Sequence, residues 1–195
     1  MTSTATDAAS ARPAAGTRAA DVIATRLPEA ILARETDFDE VTLHVDREHL
    51  VEVMRTLRDD EGALYIMPVF VTAVDWPERE PDLPRFDVVY QLRSLMYNDV
   101  CRVVVRVSDG DAWVPTLERV FPGMDWHERE TFDLFGIDFR GHHDLMRILL
   151  PDDWDGHPLR KDYISFGEPV AFTHNIVWAL PMAERPDDMP GAVRP

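Results

Sequence analysis

Val41, Leu43 and Val45 alternate with Thr42 and His44, a period of two that predicts a strand with one buried face. Just beyond, Leu50, Val53, Met54 and Leu57 fall at i, i+3, i+4 and i+7. That spacing predicts an amphipathic helix reaching about Asp59, with Asp46 as its N-cap. Upstream, Val22, Ile23, Leu27, Ala30 and Ile31 predict two short helical turns between Asp21 and Arg34, meeting at Pro28, a residue suited to a helix's first position. Val69 to Val74 are apolar almost throughout, as in a strand covered on both faces. Pro68 is expected at its start, because proline has no N–H for a central ladder. After a charged, proline-rich loop from Pro77 to Pro84 the period of two returns. Phe86, Val88, Tyr90 and Leu92 share one face of a strand, and Cys101, Val103, Val105 and Val107 share one face of the next. Asn98 and Asp99 between them favour the positive φ of a reversal. The order β-α-β-β-β implies an α+β fold: a mixed β-sheet with helices packed on one face and an antiparallel part at its end.

Pro115 to Phe121 predicts a short helix leading through Pro122 and Gly123 into a longer one from Trp126 to Phe135. At about 100° per residue, Thr131, Phe132, Leu134 and Phe135 gather on one arc of that helix, with Arg129, Glu130 and Asp133 opposite. Glu128 falls on the apolar arc. A carboxylate there must lose its charge or meet a cation, since a buried ion stripped of its partner costs roughly 3–5 kcal/mol. Arg140, Arg147, Arg160 and Lys161 are the candidates, and a charge-assisted hydrogen bond from an arginine of this chain or of a partner is expected. Gly136 stops the helix, because glycine takes the left-handed conformation without steric penalty. Beyond it, Phe139, Leu145, Met146, Ile148, Leu149, Leu150, Trp154 and Leu159 are interrupted by Gly141, Pro151, Gly156 and Pro158, so no repeat lasts beyond a turn. The segment is too apolar to float and too irregular to build a layer, which predicts an extended irregular C-terminal arm lying across another surface.

The resulting organisation is a disordered tail over residues 1–20, an α+β domain over 21–136, a partner-wrapping arm over 137–169, and a proline-rich tail over 170–195 in which Trp178 and Leu180 are the residues able to dock. A chain of 195 residues, 45% of them hydrophobic, supports one sizeable core. The net charge of −16 argues against nucleic acid or an anionic membrane face as a direct partner, since both would repel it. The single cysteine, Cys101, excludes an internal disulfide and cannot alone hold an iron–sulfur cluster. On a strand of valines it reads as a core residue. No stretch reaches the roughly 18 apolar residues of a spanning helix, and the first twenty residues lack the apolar core of a secretion signal.

Three patterns resemble chemical sites. His127-Glu128 opens like the zinc-protease motif H-E-x-x-H, but Thr131 takes the place of the second histidine. Pro151 to Asp162 mimics a calcium loop through Asp153, Asp155, Gly156 and Asp162, yet Pro151 offers no side-chain oxygen at the first position. His142, His143 and His157 could join a metal cluster with Asp144 or Asp155, but without a cysteine pair or regular ligand spacing, ordinary hydrogen-bonded histidines are the simpler reading. No Gly-rich phosphate loop occurs. The expectation is a chain with no catalytic, cofactor or metal site of its own.

The runs HERETFDLFGIDF and GHHDLMRILLPDDWDGHPLRKDY, with VTAVDW and RFDVVYQLRSL upstream, resemble the C or 30-kilodalton subunit family of the proton-pumping NADH:quinone oxidoreductase, respiratory complex I. The resemblance spans roughly Glu35 to Pro169. It departs at His143 and Ile164, where the family pattern has prolines, so two rigid φ values are missing from the arm. The resemblance implies a non-catalytic assembly subunit on the cytoplasmic side of the cell membrane, peripheral, bound mainly to the D subunit of the complex with the B and I subunits nearby. FMN, the iron–sulfur clusters and quinone would then belong to partner subunits, and the whole complex would pass electrons from NADH to quinone coupled to proton translocation. The family motif maps the partner interface onto Glu128, Arg129, Glu130, Asp133, Phe135, Gly136, His142, Arg147, Leu150, Pro151, Asp152, Asp153, Trp154, Gly156, His157, Pro158, Leu159, Arg160, Lys161, Asp162 and Tyr163. An arm wrapped over a partner would bury above about 2,000 Å² in total. Two alternatives stand beside this reading: the equivalent subunit of a related membrane-bound hydrogenase or other quinone or ferredoxin dehydrogenase, and a stand-alone metal-dependent hydrolase using His127, Glu128 and His142.

Overall fold

The computed structural model describes residues 14–79 and 83–163; the expectations for residues 1–13, for Ile164 and for the tail that follows lie outside them. Five strands form one sheet in the order β1-β2-β5-β4-β3, where β1 is Ile31–Asp37, β2 Glu40–Val45, β3 Met67–Asp75, β4 Phe86–Ser94 and β5 Asp99–Val107. The sheet is mixed: β2 runs parallel to β5, and the other neighbours are antiparallel. Register explains the core. Phe86, Val88, Tyr90 and Leu92 pair with Val107, Val105, Val103 and Cys101, and Leu43 pairs with Val103, so one face collects these with Val41, Val45, Val71 and Ala73, all buried. Helices α1 (Thr17–Arg26), α2 (Leu50–Asp59) and α3 (Met124–Phe135) cover that face. Leu50, Val53, Met54 and Leu57 are fully buried as their spacing requires, each worth about 1.5–3 kcal/mol.

The opposite face is mixed, with Val89 paired to a buried Val104 and charged pairs around them. Arg102 reaches Glu40 at 2.8 Å and Gln91 donates to the same carboxylate at 2.9 Å, while Arg79 grips Asp87 with both terminal nitrogens.

Several local expectations are corrected. Helix α1 begins at Thr17, inside the segment read as a tail. The second expected turn is a single 3-10 turn over Pro28–Ala30, and from Ile31 the chain becomes an edge strand, joined to β2 by a hairpin whose Phe38 and Asp39 both have positive φ. Asp46 precedes a 3-10 turn, and its side chain caps no amide there. The apolar run around Val69 is the other edge of the sheet, so Val69 and Val74 are exposed; Pro68 is its second residue and sits at a shift in register. Pro115 to Phe121 is no helix. Trp113–Pro115 forms β6, parallel to β7 (Asp138–Arg140), and Val120 and Phe121 then close one turn back onto the Leu117 carbonyl.

The strand–helix–strand unit β6-α3-β7 positions the site. It sets residues 116–118 beside residues 141–143, with the first turn of α3 following directly. The chain divides into two units, Met1–Lys161 and Asp162–Pro195, and every element above belongs to the first.

Candidate functional site

Helix α3 ends where expected, at Gly136 with φ +73°. A Cβ there would stand 2.5 Å from the His157 ring and 3.1 Å from an Arg160 nitrogen, so glycine is required both for conformation and for the approach of the arm. The last carbonyls of a helix lack partners within it, and here the arm supplies them. His157 Nδ1 donates to the Asp133 carbonyl at 2.8 Å, the Leu159 amide to Leu134 at 3.1 Å and Arg160 Nε to Phe135 at 2.6 Å. Basic groups at this end also complement the negative pole of the helix dipole.

The arm is built around the Asp133 carboxylate. Its Oδ2 accepts the amides of Ile148, Leu149 and Leu150 at 3.1, 2.8 and 3.0 Å, a nest of successive N–H groups around an anion. Arg147 donates to Oδ1 at 2.7 Å and reaches on to the carbonyls of Trp154 and Gly156. Burial alone would raise the Asp133 pKa, but the Leu150 and Leu149 amides, Arg147 and the Ile148 amide outweigh it and hold the group below the ordinary carboxylate value. Asp133 is thus fully buried, not on the solvent side that its place on the helical wheel implied. Further along, Lys161 N–H donates to Asp75, which Arg85 grips at 2.7 and 2.8 Å. Asp109 bridges Arg85 and Arg160 at 3.0 and 2.9 Å.

Glu128 is fully buried, as its place on the apolar arc predicts, but it meets no arginine. Thr116 Oγ1 donates to it at 2.5 Å and the Leu117 amide at 2.7 Å. These are neutral donors, so desolvation prevails. Burial, opposed by those two bonds and reinforced by Glu118 and Asp125, raises the pKa from 4.5 to about 7. The arginine expected at Glu128 is found at Asp133 instead.

Of the other motif residues, Phe135 is buried; Arg129, Gly136, His142, Arg147, Leu150, Trp154, Gly156, His157, Pro158, Arg160 and Tyr163 are half-buried; Glu130, Pro151, Asp152, Asp153, Leu159, Lys161 and Asp162 are exposed. With the arm's polar groups turned inward, apolar side chains face out. Trp126 is 64% exposed, Leu149 59%, Met146 55% and Leu159 48%. Arg129 ties Trp126 to this surface, lying 5.3 Å from its ring and donating to the Met146 carbonyl. Trp126, Met146 and Leu149, and the anchors Asp75, Arg85 and Asp109, are not among the motif residues; the absence of any period in the arm was the signal for Met146 and Leu149.

The hydrolase pattern finds no support in this geometry. Thr131 donates to the His127 and Val71 carbonyls, and Glu128 points into the core one position away. The calcium-like loop turns its Trp154 and Gly156 carbonyls to Arg147. His142 and His143 do come together, with Glu118 and not with His157, Asp144 or Asp155.

A family model described as "Respiratory-chain NADH dehydrogenase, 30 Kd subunit" matches residues 43–169. The protein named as the C subunit of NADH-quinone oxidoreductase in Streptomyces coelicolor is 46% identical over 147 residues, covering 75% of this chain and 58% of that protein. The one so named in Roseiflexus castenholzii is 46% identical over 149 residues, covering 76% and 84%. The solved structure described as "Nqo5 of the trypsin-resistant fragment (1-134) in P63 form" shares the fold, with a TM-score of 0.54 at 24% identity over 66% of this chain and 99% of that one. Several of the curated relatives are longer than their match: the aligned part spans between 52% and 58% of their length.

Proposed function

This chain belongs to the 30-kilodalton subunit family of the respiratory-chain NADH dehydrogenase, and on that premise we propose that it serves as the C subunit of an NADH:quinone oxidoreductase, an assembly component whose arm docks on a neighbouring polypeptide. Electron transfer from NADH through FMN and iron–sulfur clusters to quinone, coupled to proton translocation, is then the work of the whole complex. The D subunit of the complex is the main neighbour in this reading, with the B and I subunits nearby, on the cytoplasmic side of the membrane. No helix among the described residues is long and apolar enough to cross a membrane, which agrees with peripheral attachment.

The observation that carries the reading is the outward row of Trp126, Met146, Leu149 and Leu159 on a segment otherwise anchored by charged and backbone hydrogen bonds. Water-exposed side chains of this size are the usual content of an interface core, and an arm fixed in advance loses little further entropy on docking. The functional expectation follows: the chain holds neighbouring redox subunits at a fixed separation, so weakening the contact removes the complex more than it slows turnover.

The test is co-purification from native membranes with mass spectrometry of the partners, comparing the full-length chain with a Leu149→Glu, Leu159→Glu double variant and with a chain truncated after Gly136. Retention of the partner subunits by the first and their loss from the other two is expected. Undiminished recovery of partners with the double variant would refute the docking role of this surface.

A further inference from the structure

The parallel pair β6 and β7 brings together four potential metal ligands from three segments. Glu118 follows β6, Asp125 lies in the first turn of α3, and His142 and His143 follow β7. One ligand atom each from Glu118, His142 and His143 lies within 4.8 Å of the other two. The spacings are 2.6 Å from His143 Nδ1 to Glu118 Oε2, 3.8 Å from His142 Nε2 to Glu118 Oε2, and 3.2 Å from His142 Nε2 to Asp125 Oδ1. Two ligand atoms each about 2.0 Å from a tetrahedral ion are roughly 3.3 Å apart, so the Glu118, His142 and His143 spacings bracket what one ion requires, while Asp125 stands outside that group of three and approaches it at His142.

A second observation points to a ligand. The His142 side chain is fully buried, yet its Nε2 and the Asp125 Oδ1 facing it both lack a hydrogen-bond partner, their approach being close but misaligned. Buried polar atoms are normally satisfied, and a cation between these two would satisfy both.

We propose that Glu118, Asp125, His142 and His143 form a site for one divalent transition-metal ion of the Zn2+ class, fastening the start of the arm to the first turn of α3. Two imidazoles and two carboxylates form an N2O2 set suited to that ion, whereas Mg2+ and Ca2+ take oxygen donors. Binding asks for two local changes. The Asp144 amide donates to His142 Nδ1, but a neutral ring ligating through Nε2 carries its proton on Nδ1, so that bond is released. The two rings are nearly parallel, 15° apart, and the His143 ring, with 63% of its side chain exposed, turns to aim its lone pair at the ion. Neither change disturbs a strand or helix.

The experiment is a titration of the chelator-treated full-length chain with Zn2+ by calorimetry, and with Co2+ by visible absorption, for the wild type and for His143→Ala, Glu118→Gln and His49→Ala. One ion per chain is expected, with the strong d–d bands of a four-coordinate Co2+. Affinity should fall by roughly tenfold or more in His143→Ala and Glu118→Gln and stay unchanged in His49→Ala, which removes a histidine outside the cluster. Circular dichroism checks each fold, and the exposed His143 gives a decisive variant even if Glu118→Gln perturbs the structure. Zn2+ should also slow amide exchange over residues 142–148. Absence of stoichiometric binding, or binding indifferent to His143→Ala, overturns the proposal.

Discussion

Below pH 4.5 the Glu128 carboxyl is protonated in the folded and unfolded chain alike. As pH rises the unfolded chain releases the proton first, while burial holds it on the folded group until about 7. Stability that is complete below the unfolded value is therefore lost as pH climbs through that interval. The gap between 4.5 and about 7 is worth about 3 kcal/mol. Glutamine can accept from the Leu117 amide and donate to Thr116 Oγ1 without a charge, so Glu128→Gln should flatten this slope and raise the urea midpoint at about pH 8 by a corresponding amount. Urea melts of both proteins at about pH 5 and 8 check it, and a variant less stable than the wild type at the higher pH would contradict the neutral-donor account. Gly136→Ala should act in the other direction. It places a side chain at φ +73° against the His157 ring, with a loss of about 2 kcal/mol in thermal unfolding and release of the arm's end.

An element scale shows why the arm and α3 behave as one unit. Asp133 gathers three amides and Arg147 from the arm, and the helix end accepts three more donors from residues 157–160. Removing either member of the enclosed Asp133–Arg147 pair leaves a charge without its partner, so Asp133→Asn or Arg147→Ala should destabilise the arm by about 3 kcal/mol. Hydrogen exchange should report it as lost protection at residues 148–150, while Cys101 to Val107 in β5 keep theirs. Because the Asp133 pKa is held below its ordinary value, its contribution is complete above that value and is lost as pH falls through the folded one. Sequence periodicity could not reveal this. A helical wheel records only the helix's own repeat, and the groups that bury Asp133 arrive from 14–17 residues later. Strand β1 escaped for a related reason: as an edge strand it is mostly exposed and carries no alternation, and its hairpin turns at Phe38-Asp39, without the glycine that marks such turns. The paired central strands β4 and β5, and helix α2, were legible because both their periods and their burial are internal to each element.

At the scale of the whole molecule, family membership was legible in the unbroken motif strings, whereas of the cluster only His142 and His143 stood out and their partners Glu118 and Asp125 did not, since a β6–β7 pairing separated by a helix sets them side by side. The net charge of −16 adds a constraint on docking that neither reveals. Asp152, Asp153 and Asp155 stand exposed close in sequence to the outward Leu149 and Leu159, so under the proposed docking role a partner would have to offer apolar pockets together with a basic rim. Steering by such a rim acts on the encounter, and salt shortens its reach to about 8 Å at physiological ionic strength. Apolar contacts formed after docking govern escape and respond little to salt. Replacing Asp152 and Asp153 with asparagine should therefore slow association with the partner subunits and flatten its salt dependence while leaving dissociation nearly unchanged. Leu149→Glu with Leu159→Glu should instead speed dissociation at every salt concentration. Reassociation kinetics of labelled chain with complex stripped of this component would separate the two, and equal effects of both pairs on the dissociation rate would show that acidic and apolar groups do not divide the work in this way.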